Sequence, residues 1–153
     1  MLFENQYQIA YVTHDLKEAM TVLSDQFGVT GWRGLNADYV VENTIMTPEG
    51  EKSITMRVAI AILGNMTLEV LEPIAGETTI FTEMLVPGQL LRLHHLGFRC
   101  NDLDAAKAAN AKYGRQVVSE GRFKAAHFIY VDARETLGHF LEYVAAPAEY
   151  WNR

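Results

Sequence analysis

The sequence predicts an α+β domain assembled from two related modules, and three features carry that reading. The stretch HHLGFRCNDLDAA, from His94 to Ala106, reads as a short strand feeding an amphipathic helix, and QIAYVTHDLKEA, from Gln8 to Ala19, reads the same way. The two copies align at a single offset of 87 residues, which sets Gln8 on His95, Asp15 on Asp102, Leu16 on Leu103 and Ala19 on Ala106. Strand-like runs follow each helix, so both halves carry the order strand, helix, three strands.

In the first module, Tyr7 to Thr13 alternates as a strand does, and Asp15 then offers an N-cap with Glu18 three residues on, a capping-box arrangement. A helix is expected from Leu16. Leu16, Ala19, Met20, Leu23 and Phe27 recur at helical spacing and form one apolar face, and Gly28 suits the left-handed position that closes it. The glycine-containing stretch from Thr30 to Tyr39 reads as a loop leading to a second strand near Tyr39 to Thr44. Turn chemistry over Thr47 to Lys52 precedes a strand at Ser53 to Leu63, which reverses at Gly64-Asn65 into Met66 to Pro73. The connector holds a helical candidate, Thr79 to Leu85, stopped by Pro87-Gly88. The second module offers a strand at His94 to Cys100, a helix capped by Asp102 and ended at Gly114, and strands near Gln116, Ala126 to Val131 and His139 to Val144. The tail from Ala146 reads as an arm over the surface. One domain is expected, with modules at about 5–73 and 93–147 joined by a connector at about 74–92.

At 153 residues the chain can bury about two-thirds of its unfolded surface, enough for one compact domain or two fused halves. Hydrophobic content of 49% with 21% charged residues is ordinary for a globular protein, and no apolar run reaches the roughly 20 residues of a membrane span. A net charge of −6 without a basic cluster argues against nucleic acid as a partner. Cys100 is alone and MLFENQYQ lacks the features of a signal peptide, so a reducing cytoplasm is the expected location.

The helix of each module can cover only one face of its sheet. Ile9 and Tyr11, and Leu96, Phe98 and Cys100, are placed under the helices. Gln8, Ala10 and Val12, with His95, Gly97 and Arg99, then face the other way, and the same parity groups Thr67, Glu69 and Leu71 with Phe140, Glu142 and Val144. Taken singly, Gln8, Glu69, His95 and Glu142 could decorate a solvated sheet. Their apolar neighbours are unsuited to a wet surface, so the face is expected to line an enclosed cleft where two carboxylates require a cation. One divalent metal bound by two carboxylates, one imidazole and one amide oxygen would satisfy them and leave room for water or substrate.

With these features the chain resembles the vicinal oxygen chelate superfamily, which includes glyoxalase I, methylmalonyl-CoA epimerase, extradiol dioxygenases and bleomycin-resistance proteins. The resemblance rests on the paired Asp-Leu helix openings, the HHLGF stretch and the strand endings TLEVLEP and FLEYVAAP. It implies paired βαβββ modules forming a cup-shaped, mostly antiparallel sheet with helices outside. It also implies one ligand from the first and last strand of each module: Gln8, Glu69, His95 and Glu142. That set resembles one branch of glyoxalase I and the epimerases; Gln8 stands where extradiol dioxygenases carry a histidine.

The implied activity is that of a divalent-metal-dependent isomerase, epimerase or glyoxalase-type lyase, removing a proton next to a metal-bound carbonyl or enediolate. The ion would be zinc, nickel, cobalt or manganese. Glu142 is the first candidate base and Glu69 the second; Arg99, Arg57, His127 and Tyr130 are candidate contacts to a small-molecule substrate. His94 is read as a core histidine, His14 as exposed and Cys100 as inert packing. The alternatives are a non-catalytic small-molecule binding protein of the resistance type and a ring-cleaving dioxygenase. The resemblance implies open sheet edges and the tail carries Tyr150 and Trp151, so a homodimer is expected.

Overall fold

A computed structural model of the chain describes residues 2–33 and 40–152, so the expected strand start at Tyr39 lies outside the described residues. In chain order the elements are β1 (Gln6–Thr13), α1 (Leu16–Phe27), β2 (Trp32–Arg33), β3 (Val40–Thr47), β4 (Gly50–Leu63), β5 (Met66–Gly76), α2 (Thr79–Thr82), β6 (Leu91–Arg99), α3 (Leu103–Ala111), β7 (Val117–Phe123), β8 (Ala126–Asp132), α4 (Arg134–Leu137), β9 (Phe140–Ala145) and α5 (Ala148–Trp151). The class is α+β, with few helices and mixed, mostly antiparallel pairing. Among the described residues no helix is long and apolar enough to cross a membrane.

The chain divides into two compact units, one made of Met1–Tyr7, Asn43–Lys52 and His95–Arg153 and the other of Gln8–Glu42 and Ser53–His94. In the second of these, β1 runs parallel to β5 with Gln8 opposite Thr67 and Ala10 opposite Glu69. β5 returns antiparallel along β4 through the expected reversal, Leu63 opposite Met66, and β2 lies on β4 with Trp32 opposite Ala61. The apolar stripe of α1, Leu16, Ala19 and Leu23, packs with Ala59, Ala61, Leu68 and Val70. Trp32 Nε1 donates to Ser24 Oγ at 2.9 Å, tying β2 to that helix.

The other unit repeats the scheme. β6 runs parallel to β9 with His95 opposite Phe140 and Gly97 opposite Glu142. β8 joins antiparallel to β9, β7 to β8, and the end of β3 to β7 through Ile45 opposite Gly121. Leu103 and Ala106 of α3 pack with Phe98, Ile129, Val131, Leu141 and Tyr143. The two helix starts are near copies. Asp15 accepts from Glu18 N at 2.9 Å and Asp102 from Ala105 N at 3.0 Å, both caps in extended backbone with φ of −146° and −142°.

Some elements differ from expectation. Only one turn of the Thr79 to Leu85 candidate is helical, since Thr78 gives no side-chain cap and the chain leaves through turns before Pro87. The single turn α4 was not anticipated; Asp132 Oδ1 accepts from Arg134 N at 3.0 Å at its start. The tail is not a plain arm, because α5 forms after Pro147 and Trp151 Nε1 donates back to Ala146 O at 3.3 Å.

Candidate functional site

Parallel pairing of β6 and β9 sets His95 and Glu142 as diagonal neighbours on one face, two residues apart in register. Diagonal neighbours stand about 7–8 Å apart at the backbone, within reach of long side chains. Here His95 Nε2 and Glu142 Oε2 stand 3.4 Å apart. His95 is fully buried, Glu142 nearly so, and Phe140 and Val144 beside Glu142 on β9 are buried as well. The contact is not an ion pair between charged groups. Burial, aided by the nearby His139, pushes the His95 imidazolium down to about 3, so the ring is neutral at pH 7. Burial likewise pushes Glu142 up to about 7, against hydrogen bonds from Tyr130 and Tyr7 that favour its charged form. Tyr130, opposite Glu142 on β8, also meets the His95 ring edge-on at 5.0 Å. Tyr7 donates its hydroxyl to Glu142 Oε2 at 3.5 Å.

This donor pair fits a metal. Two donors each about 2.1 Å from a tetrahedral cation stand about 3.4 Å apart, and a neutral imidazole nitrogen beside a carboxylate oxygen is the usual company of zinc and its neighbours. In the other unit, Gln8 and Glu69 sit on β1 and β5 at the same diagonal, since Gln8 opposes Thr67 and Ala10 opposes Glu69. Gln8 is buried and its Oε1 has no hydrogen-bond partner among the described residues, while Glu69 is half-buried. Ala10, Val12 and Leu71 on the same face are buried. Among the described residues no three His, Cys, Asp or Glu side chains gather into a metal-binding group, so the assembled feature is the His95–Glu142 pair.

The remaining candidates separate by face. Arg99 lies beyond Gly97 on β6, exposed, with its guanidinium 4.6 Å from the Trp151 ring and 5.6 Å from that of Tyr7. Arg57 shares the helix-packed face of β4 with Ala59 and Ala61, and its Nη1 donates to Glu72 at 3.0 Å. His127 shares the helix-packed face of β8 with Ile129 and Val131; its Nε2 lies 3.1 Å from Glu120, which also holds Lys107 at 2.9 Å. His94 is buried, its Nε2 3.0 Å from Ile80 O and its ring stacked on Phe81 at 4.5 Å, as befits a core histidine. Cys100 packs against the helix-side core of its unit, and burial raises its pKa.

Two residues at the site were not singled out from sequence. Tyr7 reads only as part of a strand, and Trp151 only as an apolar ring in the tail. The Trp151 ring meets Tyr7 edge-on at 5.0 Å. No local pattern signals this contact.

Comparison with known proteins agrees with this architecture. Methylmalonyl-CoA epimerase from Mycobacterium tuberculosis is similar at a TM-score of 0.63 and 16% identity, over 99% of this chain and 94% of that one. A methylmalonyl-CoA epimerase solved in complex with methylmalonyl-CoA and NH4+ is similar at 0.64 and 19%, over 94% and 95%. A variant of the Streptomyces coelicolor methylmalonyl-CoA epimerase in complex with 2-nitronate-propionyl-CoA is similar at 0.64 and 19%, over 94% and 98%. A search of the curated proteins gives no match. The family described as Glyoxalase/Bleomycin resistance protein/Dioxygenase superfamily matches residues 7–131, and the chain belongs to it.

Proposed function

We propose that the protein is a divalent-metal-dependent enzyme that moves a proton on the carbon next to a carbonyl, as an epimerase, isomerase or glyoxalase-type lyase does. The observation that carries this reading is the buried His95–Glu142 pair at 3.4 Å, flanked by the buried Phe140 and Val144. His95 and Glu142 would hold the ion in their module, and Gln8 and Glu69, the donors at the matching register of the other repeat, are the further ligand candidates. When bound, the ion supplies positive charge against the negative charge that develops as a carbon acid is deprotonated. The chain supplies the rest. Glu142 takes the proton with its carboxylate, Glu69 being the next candidate, and the apolar neighbours keep water from competing. Tyr130, against both His95 and Glu142, helps to orient the pair. Arg99, exposed on the same face, offers a cation to an anionic substituent of the substrate.

The first substrates to try are 2-substituted acyl-CoA thioesters, because similar folds include methylmalonyl-CoA epimerases, one of them solved with methylmalonyl-CoA. Hemithioacetals of 2-oxoaldehydes come next. The test is exchange of the α-proton in deuterated water, followed together with metal content. Wild type is expected to hold one ion per chain and to exchange the proton. His95→Ala should lose the ion. Glu142→Gln keeps one ligand oxygen, so it should retain most of the metal while exchange falls about 10²–10⁴-fold. Full occupancy in His95→Ala would overturn the ligand assignment. Equal exchange by Glu142→Gln and wild type would move the base elsewhere, and a metal-loaded wild type that exchanges none of these substrates would favour a binding protein.

A further inference from the structure

Glu142 Oε2 is met on two sides, by His95 Nε2 at 3.4 Å and by the Tyr7 hydroxyl at 3.5 Å. Tyr7 comes from the first strand and Glu142 from the last, 135 residues away, so the contact is a product of the tertiary fold. The Tyr7 ring is itself braced. Trp151 of α5 abuts it edge-on at 5.0 Å, with an interplanar angle of 70°. The Arg99 guanidinium lies 4.6 Å from the Trp151 ring and 5.6 Å from the Tyr7 ring, a cation shared between two aromatic faces. Trp151 is in turn backed by Tyr150 at 5.0 Å and by its own bond to Ala146 O.

We infer that Tyr7 is a positioning residue for Glu142: its hydroxyl fixes the carboxylate oxygen that faces His95, and the Arg99–Trp151 stack fixes Tyr7. This rests on the proposed role of Glu142 as ligand and base. A carboxylate that must both approach a cation and leave it to take a proton gains from a donor that holds one oxygen in either position. The C-terminal helix thereby enters the chemistry through a contact rather than through substrate. Such outer hydrogen bonds to a ligating group are worth about 10–100-fold in metal affinity or activity when removed.

Two measurements test the inference. In metal-free protein, Tyr7→Phe is expected to lower Tm by about 2–4 °C, the shift that one side-chain hydrogen bond makes in a domain of this size. In a Glu142→Ala background the same substitution should do nothing, which shows that the hydroxyl acts on that carboxylate. In the metal-loaded protein, competition with a chelator should show affinity reduced about 10-fold in Tyr7→Phe and in Trp151→Ala, and restored in Trp151→Phe. A Tm loss of the same size in both backgrounds would overturn the contact. Affinity and α-proton exchange both within about twofold of wild type in Tyr7→Phe would overturn the positioning role. A coupled cycle in a wild type that takes up no metal would instead sink the proposed function and leave the hold of Tyr7 on Glu142 standing.

Discussion

Arg57 was a candidate substrate contact, and the structure gives it a different partner whose removal can be priced in stability. Glu72 Oε2 accepts from the backbone N–H of Leu16, the first residue of α1, at 3.0 Å, while its Oε1 accepts from Arg57 Nη1 at 3.0 Å. Leu16 is fully buried, and its N–H is one of the four donors that a helix start leaves without an intrahelical acceptor. A hydrogen bond from such a donor to a charged carboxylate contributes about 1.5–3 kcal/mol. The ion pair is weaker: the Arg57 side chain is 37% exposed against 15% for Glu72, so water and salt screen it to about 1 kcal/mol or less. Glu72→Ala should therefore cost about 2–3 kcal/mol, or about 4–12 °C in Tm. Glu72→Gln keeps the acceptor and should cost about half as much, and Arg57→Met no more than about 1 kcal/mol. Thermal and urea unfolding of the three variants provide the assay, with α-proton exchange measured alongside. An Arg57→Met loss as large as that of Glu72→Ala would refute the assignment of the energy to the helix start. Unchanged stability with a raised KM in Arg57→Met would return Arg57 to the substrate site.

Asp15→Ala and Asp102→Ala should each cost about 1 kcal/mol in urea unfolding, because the two caps make the same bond at 2.9 and 3.0 Å; a neutral result at either would mean that water replaces the cap. Asp132 is held below the ordinary carboxylate range by its bonds to Arg134, at 2.7 and 3.0 Å, so this pair stabilises fully above the ordinary value of 3.8 and fades as pH falls through the lower folded one. Asp132→Asn is accordingly expected to be less stable by about 1 kcal/mol at most at pH 7 and to converge on wild type as pH falls through the lowered folded value, a difference that pH-dependent urea titration reads directly.

What the sequence made legible was local or periodic. Asp15, Gly28 and Asp102 announce helix ends through bonds spanning three to five residues, and the alternation of Leu96, Phe98 and Cys100 against His95 and Gly97 assigns faces within one strand. Parity within a strand does not say which face an isolated strand turns to the helix. Arg57 and His127 could be assigned only once β4 was registered on β5 and β8 on β9. Tyr7 was illegible for a related reason: its hydroxyl meets a residue at the other end of the chain, through a ring held by a helix that follows Pro147. Contacts of that kind follow from topology, and no spacing rule in the sequence encodes them.

The repeat explains why the last strand of each module carries a glutamate. In each unit the first strand runs parallel to the last, and the donor on the first strand precedes the register partner of the glutamate by two residues: Gln8 before Ala10, which opposes Glu69, and His95 before Gly97, which opposes Glu142. The stagger must be an even number, because a slip of one residue would turn either glutamate into the helix-packed core and bring Leu68 or Leu141 to the opposite face. The separation also selects the residue type. A diagonal of about 7–8 Å is closed to 3.4 Å in the second module by an imidazole on one strand and a three-carbon acid side chain on the other. Aspartate at Glu142 would fall one methylene short of that approach, whereas the longer side chain lets a single oxygen reach both His95 and Tyr7 from the same backbone position.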